Sequence, residues 1–135
     1  MRYEEGRRRG RGEHGDATLS FVLVTPVVLV MIMASVYAAM WSHAQHVVTA
    51  AAQEGLAAAR VETGTQQAGE DRANFFLDAL APSRLVERSV SASRDTDQAQ
   101  VEVSGMVESL VPGVRLRVHA TATAPVEVFR ADPGG

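Results

Sequence analysis

Histidine spacing is the first feature of this sequence that suggests metal chemistry. His43 and His46 are three residues apart, so on a helix both side chains lie on one face, as paired metal ligands do. No third ligand follows nearby in the sequence, and His14 and His119 are isolated. We therefore predict no metal site, and we expect the histidine pair to lie at a wet interface.

Cysteine and the motifs that are typical of nucleophilic or nucleotide chemistry are also missing from the sequence. The chain has no cysteine, which excludes a thiol nucleophile, a disulfide framework and a zinc-finger cluster. No serine stands in a G-x-S-x-G setting, and no P-loop occurs. The formal net charge of −3 argues against a nucleic-acid partner, since phosphate binding needs a clustered basic face. We predict no catalytic residues and no cofactor, and we expect a protein that is not an enzyme.

Residues 19–41, an apolar stretch without a charged side chain, predict one membrane-spanning helix. Its twenty-three residues would form a helix about 34 Å long, enough to cross a hydrocarbon core of about 30 Å. Pro26 lies about two turns into the stretch and frees one backbone carbonyl, which a span can satisfy locally. We expect a mild kink there and no break in the helix.

The distribution of arginine around this stretch predicts its orientation. Arg7, Arg8, Arg9 and Arg11 come just before it, and the next basic side chain apart from histidine is Arg60. Positively charged flanks stay in the cytoplasm. The N-terminus is therefore predicted to be cytoplasmic and the C-terminal part extracytoplasmic.

At the outer end of the predicted span, Tyr37 and Trp41 are one helical turn apart, where aromatic side chains anchor helices at the headgroup level. The helical pattern continues beyond them and is predicted to end around Thr63–Gly64, giving one helix of about forty-five residues. Its outer half carries a stripe of small apolar residues at spacings of three, four and seven: Ala44, Val47, Val48, Ala51, Gly55, Ala58 and Ala59. The face assigned as polar carries Gln45, Thr49, Gln53 and Arg60, while Glu54 and Glu62 border the stripe.

The remaining sequence predicts a short helix followed by a sheet. Residues 65–71 are polar and predicted as a loop, after which Ala73, Phe76, Leu77 and Leu80 repeat at helical spacing until Pro82. Beyond Pro82 the period changes to two, which predicts strands over residues 85–92, 99–104 and 114–124. The turns between the strands are predicted at residues 93–97 and at Pro112–Gly113.

These elements predict an α+β fold in which a long N-terminal helix packs on a small antiparallel sheet of three or four strands. The sheet has one apolar face, and the amphipathic half of the helix is the available cover. The domains predicted are a cytoplasmic leader at 1–15, a transmembrane helix at 16–42, its amphipathic continuation at 43–64 and an extracytoplasmic α+β domain at 65–135.

The run from Glu13 to Pro26, EHGDATLSFVLVTP, resembles the N-terminal signature of TadE-like proteins of tight-adherence (Flp-type) pilus systems, within the type IV pilin-like group. That signature has a charged leader, a glycine, a few small residues, then Glu-Phe-Ala-Leu and a proline inside the span. Gly15, Phe21 and Pro26 are in register with it. The long helix and the sheet extend the resemblance to a pilin-like layout over the whole chain.

The resemblance implies that a prepilin-type peptidase cuts between Gly15 and Asp16. It also implies partners: membrane lipid, other pilin-like subunits and the platform proteins that assemble the pilus. One position departs from the family, because its glutamate is Ser20 here. In assembling pilins that carboxylate is thought to pair with a neighbouring subunit's amino group, which serine cannot do.

The function expected is a TadE-like minor pilin or accessory component of a tight-adherence pilus or related secretion system, in the bacterial cytoplasmic membrane. Two alternatives stay open at this point. One is a signal-anchored envelope protein whose sheet domain binds a partner unrelated to pili. The other is a secreted domain released by signal cleavage near Tyr37-Ala38-Ala39.

Overall fold

The computed structural model describes the backbone of residues 13–128 and the side chains of residues 20–128. Arg7, Arg8, Arg9 and Arg11 lie outside the described residues, and only the backbone of Gly15 and Asp16 is described. The elements in chain order are α1 (Glu13–Arg60), α2 (Gln66–Leu80), β1 (Leu85–Arg94), β2 (Gln98–Glu108) and β3 (Arg115–Pro125). The predicted α+β class, with a long N-terminal helix and a small antiparallel sheet, is confirmed.

The chain divides into two compact units, Met1–Val36 and Tyr37–Gly135. The described side chains of the first unit, residues 20–36, are all exposed and all belong to α1. The helix is assigned without interruption through Pro26, as predicted. It ends at Arg60, three to four residues before the predicted end, and Gly64 instead closes a turn by donating its N–H to the carbonyl of Val61.

The second unit contains residues 37–60 of α1, the helix α2 and the three-stranded sheet in the order β1-β2-β3. Both strand pairs are antiparallel, and β2 is the central strand. Its odd-numbered residues from Ala99 to Val107 are buried, whereas most of the even-numbered ones face outward. The core therefore lies on one side of the sheet, between β2 and the two helices, and consists of Ala44, Val47, Val48, Ala51, Ala52, Ala59, Ala73, Leu77, Leu85, Ala99, Val101, Val103, Val107 and Val118.

The start of α2 corrects the predicted loop over residues 65–71. Thr65 is the N-cap, and its hydroxyl accepts a hydrogen bond of 3.0 Å from the N–H of Ala68, so the helix begins at Gln66. Gly69, which suggested a loop in the sequence, is instead buried against α1. A Cβ on Gly69 would lie 2.9 Å from the Cβ of Ala59, so only glycine allows this approach.

Strand β1 differs from the predicted alternation because it contains a bulge. The register shifts between Val86 and Ser89, where two residues of β1 face Gly105 of β2. Glu87 adopts φ 51° in this bulge. As a result Leu85 on one side of the bulge and Val90 on the other both pack toward the core, although they differ in parity.

Candidate functional site

The exposed apolar part of α1, residues 20–36, is the first component of the candidate site, and we call it the span segment. Val30 is 66% exposed and Phe21 is 74% exposed, values that describe side chains without protein neighbours. Among the described residues, the helix that begins at Ser20 is the one that is long and apolar enough to cross a membrane by length and composition. The segment therefore offers an exposed apolar surface that lipid or another apolar helix can cover.

Two side-chain hydroxyls of the span segment, those of Thr25 and Ser35, donate to backbone carbonyls of the same helix. The Thr25 hydroxyl donates to the carbonyl of Phe21 at 2.7 Å, and the Ser35 hydroxyl donates to the carbonyl of Met31 at 2.8 Å. Phe21, whose carbonyl accepts this Thr25 bond, directly precedes Val22. The carbonyl of Val22 loses its usual donor because Pro26 has no N–H. Hydroxyls bonded in this way can face hydrocarbon without leaving an unpaired donor.

The second component is the buried stripe of α1, which we call the packing stripe: Ala44, Val47, Val48, Ala51, Ala52, Gly55 and Ala59. Six of these seven residues were predicted from their spacing; Ala52 was not, and the predicted Ala58 is only half-buried. At Gly55 an added Cβ would lie 2.8 Å from the Gly69 carbonyl oxygen and 3.1 Å from Val101. Small residues are thus required here, because α2 and β2 both approach the helix backbone.

Polar contacts fix α1 beside the edge strand β3. The Gln45 side chain donates to the carbonyl of His119 at 2.7 Å and accepts from its N–H at 3.3 Å. The carboxamide thus bonds to His119 as the peptide group of a neighbouring strand would. The sequence placed Gln45 on the polar face of the helix, and its half-buried side chain there bonds to the edge of the sheet, which the sequence did not predict.

At the other end of this contact, the N–H of Glu127 donates to the carbonyl of Arg60 at 2.9 Å, and the Arg60 and Glu127 side chains form a 3.3 Å ion pair. Gln45 meets His119 and Arg60 meets Glu127, so α1 and β3 run in the same direction across the second unit. Arg72 on α2 adds a 2.9 Å ion pair to Glu54 on α1. These contacts make α1 the element to which both the sheet and α2 are attached.

The two predicted interface aromatics both belong to the second unit. The Trp41 indole N–H lies 3.4 Å from the carbonyl oxygen of Arg117, at the long limit for a hydrogen bond. The Tyr37 hydroxyl oxygen is buried and has no hydrogen-bond partner among the described residues. Sequence reasoning predicted these residues as anchors but did not predict that Trp41 would contact the sheet, since nothing local signals the partner strand.

The histidines are not brought together. His43 and His46 are exposed on α1, and His119 lies on β3 with its ring 3.5 Å from Glu102. Among the described residues no group of three histidine, aspartate or glutamate side chains is placed to hold a metal ion. Of the positions singled out near the N-terminus, Ser20, Phe21 and Pro26 are exposed on the span segment.

Residues 15–56 match the family model described as TadE-like protein. The N-terminal region of this chain is TadE-like. The match begins at Gly15, covers the span segment, and ends one residue after Gly55 of the packing stripe. No curated protein and no solved structure gives a significant match to the chain.

The TadE-like region thus contains the span segment and the packing stripe as far as Gly55, whereas Ala59, α2 and the sheet lie beyond it. The resemblance read from Gly15, Phe21 and Pro26 is confirmed by this match. Together with the apolar helix, the match fits a membrane-anchored protein associated with pili.

Proposed function

We propose that this protein is a minor pilin-like or accessory subunit of a tight-adherence pilus or a related secretion system. The observation that carries the proposal is the division of the TadE-like region into an exposed apolar segment and a buried stripe of small residues. The first segment suits a hydrophobic environment, and the second carries a folded domain. A subunit of this kind needs no catalytic group, because its work is to hold a domain at the membrane and to bind other subunits.

In the proposed mechanism, the span segment packs laterally against the apolar helices of other pilin-like subunits and of platform proteins. Helices in lipid associate through close packing, since lipid tails are as apolar as the side chains themselves. The second unit then presents the polar face of the sheet and the exposed face of α2 to partners outside the membrane. Those surfaces, which lie beyond the TadE-like match, would give the subunit its specificity.

The proposed topology places the N-terminus in the bacterial cytoplasm and the second unit outside the cytoplasmic membrane. It is supported by the four arginines before the span and by the absence of lysine and arginine between Arg11 and Arg60. A prepilin-type peptidase would act at Gly15–Asp16 on the cytoplasmic side. Asp16 would then become the N-terminal residue.

Ser20 supports a minor or accessory position in preference to a repeating one. A serine hydroxyl cannot form the ion pair that a glutamate forms with the amino group of a neighbouring subunit in lipid. A subunit that enters a filament thousands of times depends on that contact, whereas a subunit at a tip or in a platform complex is held by other surfaces. The proposal therefore assigns few copies of this chain to each assembly.

The experiment that tests the proposal is the intact mass and N-terminal sequence of the protein purified from its native host. We expect a chain that begins at Asp16, and we expect Gly15→Leu to abolish processing while membrane insertion is retained. Gly12→Leu makes the same change within the leader and should be processed normally. An intact leader in the unmodified protein would contradict pilin-type processing and leave a plain signal anchor; a chain beginning near Met40 would indicate a secreted domain.

A further inference from the structure

The hairpin that joins β2 to β3 carries exposed apolar side chains at its end. We call residues 109–114, SLVPGV, the β2–β3 tip. Leu110 is 53% exposed, Val111 is 48% exposed and Val114 is 42% exposed. Three exposed large aliphatic side chains within six residues are unusual for a turn that faces water.

The backbone of the tip is ordered by its own hydrogen bonds. The N–H of Val114 donates to the carbonyl of Val111, and the N–H of Ser109 donates to the carbonyl of Val114, both at 3.3 Å. The Ser109 hydroxyl accepts from the N–H of Val111 at 2.9 Å, and Gly113 supplies the positive φ of 85° that the turn needs. The tip is therefore a defined protrusion whose apolar side chains are held outward.

The position of the tip follows from the contacts between α1 and β3. The two elements run in the same direction, and Trp41 meets Arg117. Val114 precedes Arg117 by three residues, about 10 Å of extended chain at about 3.3 Å per residue. Because α1 and β3 are parallel, residues that precede Arg117 lie toward the residues that precede Trp41. The tip therefore extends past the level of Trp41 toward that of Tyr37.

The opposite end of the second unit has a different composition. There the β1–β2 turn consists of the polar residues Asp95, Thr96 and Asp97, and the exposed valines at that end, Val61 and Val128, belong to separate segments that follow α1 and β3. At the end that holds the tip, Leu80 at the end of α2 is also exposed, at 54%. Arg115 and Arg117 follow the tip, with Glu108 before it and Glu87 paired to Arg115 at 2.7 Å. The exposed apolar turn thus lies at the end of the second unit that holds Tyr37 and Trp41.

We propose that the β2–β3 tip is a second membrane contact, in which Leu110, Val111 and Val114 enter the outer headgroup and acyl boundary while the span segment anchors the chain. The inference rests on the proposed membrane anchoring. With Trp41 at the headgroup level, a tip about 10 Å further along reaches the depth at which interfacial apolar side chains bury. Arg115 and Arg117 then lie at the level of the lipid phosphates, where arginine is favoured.

Such a contact restricts the orientation of the second unit relative to the membrane. A single helix allows a domain to rotate and tilt about its anchor, whereas a helix and a hairpin tip together fix which face points along the membrane plane. The polar face of the sheet is then presented in one orientation to neighbouring subunits. The tip would therefore set the geometry in which the subunit meets its partners.

The absence of cysteine from the sequence allows a direct test with single labels. An environment-sensitive fluorophore is attached to the variant Val111→Cys in the full chain, reconstituted in vesicles of phosphatidylethanolamine and phosphatidylglycerol. The matched control is Thr96→Cys, an exposed turn position at the opposite end of the unit. Trp41 is the single tryptophan and reports the depth of the helix independently.

We expect a blue-shifted emission at position 111 and a loss of its intensity when the vesicles contain lipids with a quenching spin label near the headgroup. Position 96 should show neither change, and Trp41 should be quenched. Quenching of Trp41 without any effect at position 111 would overturn the inference and leave the anchor intact. A label at 111 that is shielded from water but not quenched by lipid would show that a protein covers the tip, which also overturns it. If Trp41 itself is not quenched, the membrane anchoring fails, and the inference fails with it.

Discussion

The two parts of α1 differ in what their side chains contact, although both are rich in apolar residues. Val30 in the span segment is 66% exposed, whereas Val48 in the packing stripe is fully buried. Around Val30 the apolar residues are mostly large and occupy every face, and around Val48 they are small and occupy one stripe. The apolar side chains of the first part are not covered by the described residues and require an apolar environment. Those of the second part are covered by α2 and the sheet.

The environment of a helix cannot be inferred from its hydrophobicity alone. An all-round apolar surface indicates hydrocarbon, and a narrow stripe of small residues indicates a closely packed domain. The same substitution should therefore have different consequences in the two parts.

Val48→Arg should break the packing stripe and leave the anchor intact. Arginine at this closed site would bury an unpaired charge, which we expect to lower the free energy of unfolding by about 3–5 kcal/mol. Chemical denaturation of the full chain in nanodiscs, followed by Trp41 fluorescence, measures the change. Val61→Arg is the matched control, because Val61 is exposed after the end of α1. A Val48→Arg protein as stable as this control would show that the stripe is not buried.

Val30→Arg should have the reverse outcome. A charge near the middle of the span segment costs insertion about 2.5–3.5 kcal/mol on translocon scales, so the membrane-retained fraction should fall. The second unit should keep its stability, since Val30 belongs to the first unit and is not one of the core residues. Extraction of membranes with alkaline carbonate measures retention. Normal retention of this variant would argue against a span at these residues.

Gly55→Val should destabilise the second unit by a smaller amount. The added Cβ would lie 2.8 Å from the Gly69 carbonyl oxygen, and a backbone atom cannot move aside cheaply. Overpacking of this kind costs about 1–3 kcal/mol. Ala57→Val enlarges an exposed residue on the same helix and serves as the control in the same denaturation experiment. Equal stability of the two variants would mean that α1 and α2 do not approach closely at Gly55.

Gln45→Met should give the smallest effect, about 1 kcal/mol, by removing the two hydrogen bonds to His119 while keeping the length of the side chain. The amide N–H of His119 should also exchange faster with solvent, since its acceptor is lost. Gln53→Met, at an exposed position of α1, controls for the change in side-chain chemistry. Unaltered exchange at His119 in Gln45→Met would refute the assigned pairing.

Much of this architecture could be predicted because it depends on local periodicity. The uncharged run gave the span segment, and the spacing of small residues gave the packing stripe. Alternation gave the core-facing residues of β2 and β3, although β2 extends to Glu108 and Val114 lies before β3 and is exposed.

The features that were missed depend on contacts between distant segments. The start of α2 was hidden because Gly69 usually indicates a loop, and its close approach to Ala59 is a tertiary requirement. The β1 bulge changes the parity of a strand without any proline or glycine at the bulged residues. Gln45 was placed by the helical wheel on a polar face, and only the edge of β3 explains its role.

Two exposed positions of α1 should lie in different solvents, and spin labels at these positions distinguish hydrocarbon from water. Single labels are placed at Val30→Cys and Ala57→Cys in the full chain in nanodiscs, since both native side chains are exposed. We predict that Val30 is accessible to molecular oxygen and protected from a water-soluble nickel chelate, and that Ala57 shows the opposite preference. Free access of the nickel chelate to both positions would contradict the assignment of residues 20–36 to the membrane.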